Sequence, residues 1–287
     1  MKRILVTGGA GFVGSHLCAR LALDEANDVY SLDNYFTGSR NNHVQNVTYI
    51  EGNTADIAEL INFKPDMVYH LGEYSRVEQS FDDIDKVWHF NKDGIFAVLE
   101  FVRASGCKIL YAGSSTKFGD GGDGKNGSPY AWTKSTNTEL VANYGKWFDV
   151  PYAITYFYNV YGEREIQTGK YATLIALLKE KMKNNTSLTV VSPGTQKRNF
   201  THIDDIVNGL VLVGEQGYGD EFGIGSTEAF TIIEIAQMFG GNIEMLAPRK
   251  GNRMTAEVIS SKTEALGWKA KKSIKDYIDQ QRKTNWT

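Results

Sequence analysis

The chain predicts an α/β fold, a doubly wound parallel sheet with a smaller C-terminal α/β lobe, and three observations carry that expectation. Short runs rich in β-branched and aromatic residues alternate with helical patterns through the first half. A glycine-rich turn joins the first apolar run directly to the first helical pattern. After about residue 163 the alternation loses its regularity, as expected where a smaller unit begins.

The strand-like runs are 4–6, 29–32, 47–50, 67–71 and 109–111, with helical patterns over 15–23, 57–62 and 87–104 between them. A long helix over 130–148 and a strand over 152–157 complete this half. Further on, 172–184, 231–239 and 273–284 read as helical, 188–191 as a short strand and 193–196 as a turn, with 243–246 a short apolar run. The expected division is a dinucleotide-binding unit over 1–162 and a lobe over 163–287, with chain crossing between the two. The glycine-rich segment 119–127 is a flexible loop just before the long helix.

The turn Thr7-Gly8-Gly9-Ala10-Gly11-Phe12-Val13-Gly14 is the most informative feature. Gly8, Gly11 and Gly14 let backbone amides and a helix N-terminus approach a pyrophosphate closely, and the helix dipole favours its charge. Asp33 ends the second apolar run, 19 residues after Gly14. A carboxylate there accepts both hydroxyls of an adenosine ribose and repels a 2′-phosphate, which favours NAD over NADP. Strand, turn, helix and acid together predict a Rossmann-like domain; the turn alone is a weak signal.

Composition narrows the rest. At 287 residues, 41% hydrophobic and 23% charged, the chain fits one large domain or a main domain with a lobe. A net charge of −3 gives no electrostatic reason to expect nucleic acid or an anionic membrane as partner. No apolar stretch approaches the roughly 18 residues of a membrane span. The strand and its turn begin at once, so no signal peptide is expected. Cys18 and Cys107 have no metal-site spacing and read as buried thiols of a reducing, cytoplasmic protein.

Tyr130-Ala131-Trp132-Thr133-Lys134 sets a phenol and an ammonium at i and i+4, on one helical face. The ammonium favours the phenolate, a competent base for removing a proton from a sugar hydroxyl. With 15 tyrosines such a pair arises by chance, so its weight comes from Ser114, 16 residues upstream in the serine-rich strand end Tyr111-Ala112-Gly113-Ser114-Ser115-Thr116. Carboxyl ends of parallel strands face the ligand crevice, where a hydroxyl bridges a substrate oxygen to Tyr130.

At these residues the chain resembles the extended short-chain dehydrogenase/reductase family, in particular its NAD-dependent nucleotide-sugar epimerases and dehydratases. The resemblance runs from Thr7–Gly14 through Asp33-Asn34, His70-Leu71, Asn91, Ser114, Phe118-Gly119 and Tyr130–Lys134. It continues in 156–162, 198–205 and Arg249-Lys250-Gly251-Asn252. It implies Tyr130 as base, Lys134 on the nicotinamide ribose and Ser114 as proton relay. It implies NAD contacts from Gly8, Gly11, Phe12, Val13, Gly14, Asp33, Asn34, Asn53, Thr54, Leu71, Gly72, Asn91 and Phe157. Substrate contacts are implied for Glu73, Ser75, Ser115, Thr116, Asn159, Arg198, Arg249, Asn252 and Ala256. A homodimer packed through helices 87–104 and 130–148 is also implied, although Ile95, Val98, Leu99 and Val102 can equally face the chain's own sheet.

The expected reaction is 4-epimerisation of a UDP-hexose or UDP-N-acetylhexosamine through a transient 4-keto sugar. The related dehydratases carry an Asp-Glu pair after the catalytic hydroxyl, and Ser115 and Thr116 stand there instead. Dehydration, epimerisation at another carbon, a GDP, CDP or dTDP sugar, and a non-catalytic NAD sensor remain alternatives. Ala256 matches a site that gates the sugar C2 side, and alanine leaves room for an N-acetyl group. Several positions depart from the family pattern. Glu73 occupies a place usually held by a small residue, and reads as either a solvated loop carboxylate or a substrate-facing acid. Asn53 replaces a common acid, Phe157 a common tyrosine, and the segment from Gly119 to Tyr130 is short.

Overall fold

A computed structural model describes residues 1–248, 254–255 and 257–286. The first half runs β1 (Lys2–Thr7), α1 (Phe12–Leu21), β2 (Asn27–Asp33), β3 (Val47–Glu51), α2 (Ile57–Leu60), β4 (Met67–His70), α3 (Ile84–Trp88), α4 (Gly94–Ser105), β5 (Lys108–Ser114), α5 (Pro129–Phe148) and β6 (Tyr152–Phe157). The second half adds β7 (Val160–Tyr161), α6 (Leu174–Lys183), β8 (Leu188–Val191), β9 (Lys197–Asn199), β10 (Thr201–His202) and α7 (Ile203–Gln216). It ends with β11 (Gly219–Ile224), β12 (Ala229–Thr231), α8 (Ile232–Phe239), β13 (Ile243–Leu246), α9 (Ser261–Ala265) and α10 (Ile274–Lys283).

Seven parallel strands form the central sheet in the order β11-β6-β5-β4-β1-β2-β3. Side-chain alternation along β1 divides the core. Ile4 and Val6 pack on one face with Leu17 and Cys18 of α1 and Ile206 and Leu210 of α7. Leu5 points to the other face, against Ile95, Val98 and Leu99 of α4 and Val141 of α5. This is the doubly wound sheet expected. A separate apolar cluster, including Ile175, Leu178, Leu188, Phe200, Ile235 and Ile278, sits under the short two-stranded sheets of the second half. Among the described residues no helix is long and apolar enough to cross a membrane.

Three local differences from the expected elements have physical causes. The helical pattern over 87–104 is one element in the sequence, but a π turn over His89–Asp93 separates α3 from α4. Asn91 in that turn supports a loop, as described below. Second, α7 has no counterpart among the expected elements, because Gly209 and Gly214 weaken its helical reading. Its place depends on close approach: a Cβ at Gly214 would lie 2.1 Å from the Tyr69 hydroxyl. Third, β11 also has no counterpart among the expected elements, since in Gly-Asp-Glu-Phe-Gly-Ile only Phe222 and Ile224 are large and apolar. It is an edge strand whose residues 222–224 pair with β6.

Candidate active site

Strand order reverses between β4 and β1, and a cleft of about 1010 Å³ opens over the carboxyl ends of these strands. At its floor, Gly8 has a φ of +72°, and a Cβ there would lie 2.9 Å from the Gly72 backbone. The turn therefore passes close over the end of β4 only as glycine. Gly11 caps α1 without a side-chain hydrogen bond, and the first turn of α1 holds no acidic residue. Its amides are thus left for an anion in the cleft. Asp33 is buried at the end of β2, where its carboxylate accepts hydrogen bonds from the Ala10 (2.9 Å) and Tyr35 (2.8 Å) amides. Burial pushes this carboxyl above its ordinary range, against those backbone bonds. A glycine floor, an open helix terminus and a terminal carboxylate fit a dinucleotide.

Gly8, Gly11, Phe12, Val13, Gly14, Asp33, Asn34, Thr54, Leu71, Gly72 and Phe157 all line the cleft. Two expected cofactor contacts do not. Asn53 accepts a hydrogen bond from Asn34 Nδ2 (2.9 Å) and stands behind it. Asn91 is fully buried in the π turn, where its side chain accepts from the Tyr74 amide (2.7 Å) and donates to Thr133 Oγ1 (3.0 Å). Asn53 Oδ1 thus orients Asn34, and the Asn91 side chain holds the Tyr74 loop and Thr133.

The serine, tyrosine and lysine expected to react lie at the end of β5 and the start of α5. Ser128 caps α5 by accepting from the Ala131 amide (3.1 Å), and Pro129 begins the helix. Tyr130 follows on the first turn, its hydroxyl donating to Ser114 Oγ (3.1 Å). Ser114 Oγ also accepts from the Thr116 amide (3.3 Å) and hydroxyl (2.9 Å). Lys134, one turn along α5, donates to the Ala112 carbonyl and to Glu73 Oε2. Tyr130, Lys134 and Ser114 thus converge on one wall of the cleft.

Glu73 is not the solvated loop carboxylate of the first reading. It lines the cleft, yet its side chain is only 3% exposed and its carboxylate is turned inward. Oε2 also accepts from the Tyr111 hydroxyl (2.8 Å), and Oε1 from Asn137 Nδ2 (2.9 Å). Burial pushes its pKa up, but the Lys134 charge and the nearby His70 outweigh that and hold it at about 2. Glu73 is therefore not a solvated loop carboxylate, and its oxygens are bonded within the chain.

Of the other expected substrate contacts, Ser75, Ser115, Thr116, Asn159 and Arg198 line the cleft. Arg198 donates to the Lys197 carbonyl (2.8 Å), and Asn159 donates to the Asn199 carbonyl (3.0 Å). Arg249, Asn252 and Ala256 lie outside the described residues. Sequence reading missed Arg76 and Glu165 in the cleft wall. Arg76 donates through Nε and Nη2 to the Tyr171 carbonyl (2.9 and 2.7 Å), and Glu165 is buried between the Gly162 amide (3.0 Å) and the Thr173 hydroxyl (2.6 Å). Each is a single charged residue in an irregular segment, with no periodicity or motif to single it out.

Comparison with known proteins agrees with this geometry. Residues 4–225 match the model of the NAD dependent epimerase/dehydratase family. A Methanocaldococcus jannaschii protein named "Putative UDP-glucose 4-epimerase" is 31% identical, over 99% of this chain and 97% of its own. UDP-glucuronic acid decarboxylase 6 of Arabidopsis thaliana is 29% identical, over 96% of this chain and 86% of its own. The structure of a Bacillus cereus UDP-glucuronic acid 4-epimerase, solved with UDP-glucuronic acid and NAD, superposes with a TM-score of 0.88 at 26% identity. That superposition covers 99% of this chain and 98% of the other. A glycine-floored dinucleotide cleft, a serine–tyrosine–lysine wall and a family match spanning both lead to one conclusion: the chain belongs to the NAD-dependent epimerase/dehydratase family, with NAD as its cofactor.

Proposed function

We propose that this enzyme is a nucleotide-sugar 4-epimerase acting on a UDP-hexose or UDP-N-acetylhexosamine. The observation that carries the reading is the Tyr130 hydroxyl, 3.1 Å from Ser114 Oγ at the cleft wall, with Lys134 one turn along. Tyr130 takes the proton of the sugar 4-hydroxyl, with Ser114 hydrogen-bonded between the two oxygens. NAD, when bound, supplies the hydride acceptor and donor that a transient 4-keto sugar requires. Gly8, Gly11, Gly14 and Asp33 would hold the cofactor's pyrophosphate and adenosine ribose, and Lys134 its second ribose. Ser115 and Thr116, buried beside Ser114, provide hydroxyls and no carboxyl, which favours epimerisation over dehydration. Asn159 and Arg198 would grip the diphosphate side, with the smaller lobe closing on the nucleotide sugar.

A second reading, an acidic sugar as substrate, is favoured by Arg76. Its hydrogen bonds go to the Tyr171 and Ser75 carbonyls and the Ser75 hydroxyl, all uncharged, in the cleft wall. A sugar carboxylate would complete that guanidinium. One experiment separates these readings: incubation with UDP-glucose, UDP-N-acetylglucosamine and UDP-glucuronate, with products resolved by NMR. A C4 epimer of either neutral sugar supports the proposal, and turnover of the glucuronate alone supports the second reading. A 4-keto-6-deoxy product would replace both with dehydration. Tyr130→Phe is expected to lower turnover at least a hundredfold; retention within a few-fold would remove Tyr130 as the base.

We further infer a homodimer. Ile95, Val98, Leu99 and Val102 are all buried against the chain's own sheet. The outer face of α3, α4 and α5 instead carries Trp88 (51% exposed), Phe96 (57%), Trp132 (42%) and Trp147 (60%). Trp88 and Trp132 stack with ring centroids 6.2 Å apart. So much exposed aromatic surface on neighbouring helices suits a second copy.

A further inference from the structure

We propose that Glu73 is a built-in counter-ion to the catalytic lysine, fixing the Lys134 ammonium in place and setting the pH range in which Tyr130 works as a base. The inference rests on the reading of Tyr130 as base. It concerns a residue whose place in the chain, three after the end of β4, gives no sign of this partner.

The geometry leaves the carboxylate little else to do. Oε2 is taken by Lys134 and Tyr111, Oε1 by Asn137, and the side chain is 3% exposed. Asn137 is itself fixed, donating to the Asn91 carbonyl (2.7 Å) and accepting from Lys92 Nζ (2.8 Å). The groups facing Glu73 thus come from four elements: Lys134 and Asn137 on α5, Tyr111 on β5, His70 on β4 and, through Asn137, Lys92 in the π turn. His70 Nε2 stands 3.7 Å from Oε1, with Nδ1 engaged by the Thr7 hydroxyl (2.7 Å). A second cation whose charge reaches Tyr130 is Arg76, on the loop after β4.

Lys134 has three N–H groups. Two go to Glu73 and to the Ala112 carbonyl, leaving one for the cleft. The pair holds the ammonium against the wall from which it acts, and it offsets much of the positive field that Lys134 exerts on the phenol. An uncompensated ammonium would favour the phenolate at lower pH; this one is compensated. The enzyme should therefore need a more alkaline medium than the same active site without Glu73.

The test compares wild type with Glu73→Gln and Glu73→Asp as holoenzymes. Loss of the charge should move the rising limb of kcat against pH downward by about one unit, whereas the aspartate variant should keep the wild-type limb. Glu73→Ala removes the charge without setting a second amide against Asn137, and replaces the glutamine variant if that does not fold. A second readout needs neither sugar nor turnover. Tyrosinate absorbance is titrated in each protein and in its Tyr130→Phe counterpart, and the difference should show the same downward movement. If wild type turns over no nucleotide sugar, the proposed reaction fails, and this titration still decides the role of Glu73. Coincident titrations with and without the carboxylate would overturn the counter-ion, whatever happens to kcat.

Discussion

Two buried carboxyls of the same cleft respond to pH with opposite sign. Glu165 has few compensating charges: burial outweighs the Gly162 and Thr173 hydrogen bonds and raises its pKa from 4.5 to about 7. A raised folded-state value means its contribution is intact below about pH 4.5 and is lost as pH rises through about 7. Above neutrality the ionised group costs on the order of 3 kcal/mol. Glu165→Gln should therefore flatten the decline in stability between pH 5 and pH 8, read as the difference in urea midpoint between the two. An undiminished decline would mean that Glu165 ionises as it does in the unfolded chain. Glu73 has the reverse sign: its contribution is fully present above about pH 4.5 and is lost as pH falls from there through about 2. Neither behaviour was legible in the sequence. A glutamate in a loop reads as solvated until its neighbours are known. Here those neighbours, Lys134, Tyr111 and Asn137, stand 38 to 64 residues away.

At the scale of elements, α5 carries the proposed base and its lysine, and its start fixes their register. The Ser128 cap and Pro129 place Tyr130 on the first turn, so the tyrosine and lysine share a face toward Ser114 and Glu73. Ser128→Ala should cost about 1 kcal/mol of unfolding free energy, with a larger proportional loss in turnover than in NAD affinity. Equal losses would mean the cap serves stability alone. This helix was legible from a local signal, its i, i+4 pair, whereas the Ser128 cap and the Pro129 start emerge only in the structure. The glycine turn and Asp33 were legible for the same reason. The π turn over His89–Asp93 was not, because the apolar spacing of 87–104 carries through the extra residue without visible interruption. Its effect is tertiary: it leaves the Asn91 carbonyl for Asn137 and turns the Asn91 side chain to the Tyr74 backbone. Asn91 stood out in the sequence, while its hydrogen-bond partners did not.

For the whole molecule, the spacing of Ile95, Val98, Leu99 and Val102 marked a packing face, and only the folded sheet decides that it is internal. The aromatic face opposite them makes the homodimer testable. Phe96→Glu combined with Trp132→Glu should give the mass of one chain by light scattering where wild type gives two. A wild-type protein of single-chain mass would remove the dimer. The smaller lobe was legible as a change of rhythm, but the return of the chain from it was not. The helix and strand that return, α7 and β11, owe their positions to partners far away in sequence: α1 and the sheet for one, β6 for the other.

That return has a consequence for synthesis. While the chain is still emerging from the ribosome, β6 has a neighbour on one side only, and the row of amides and carbonyls on its other side stays unmatched until Ile224 appears. Throughout that interval the half-made sheet is a template for pairing with any other nascent strand. A fragment cut at residue 162 would keep that vulnerability permanently and should precipitate readily when expressed. One continued to residue 224 would have the means to seal it.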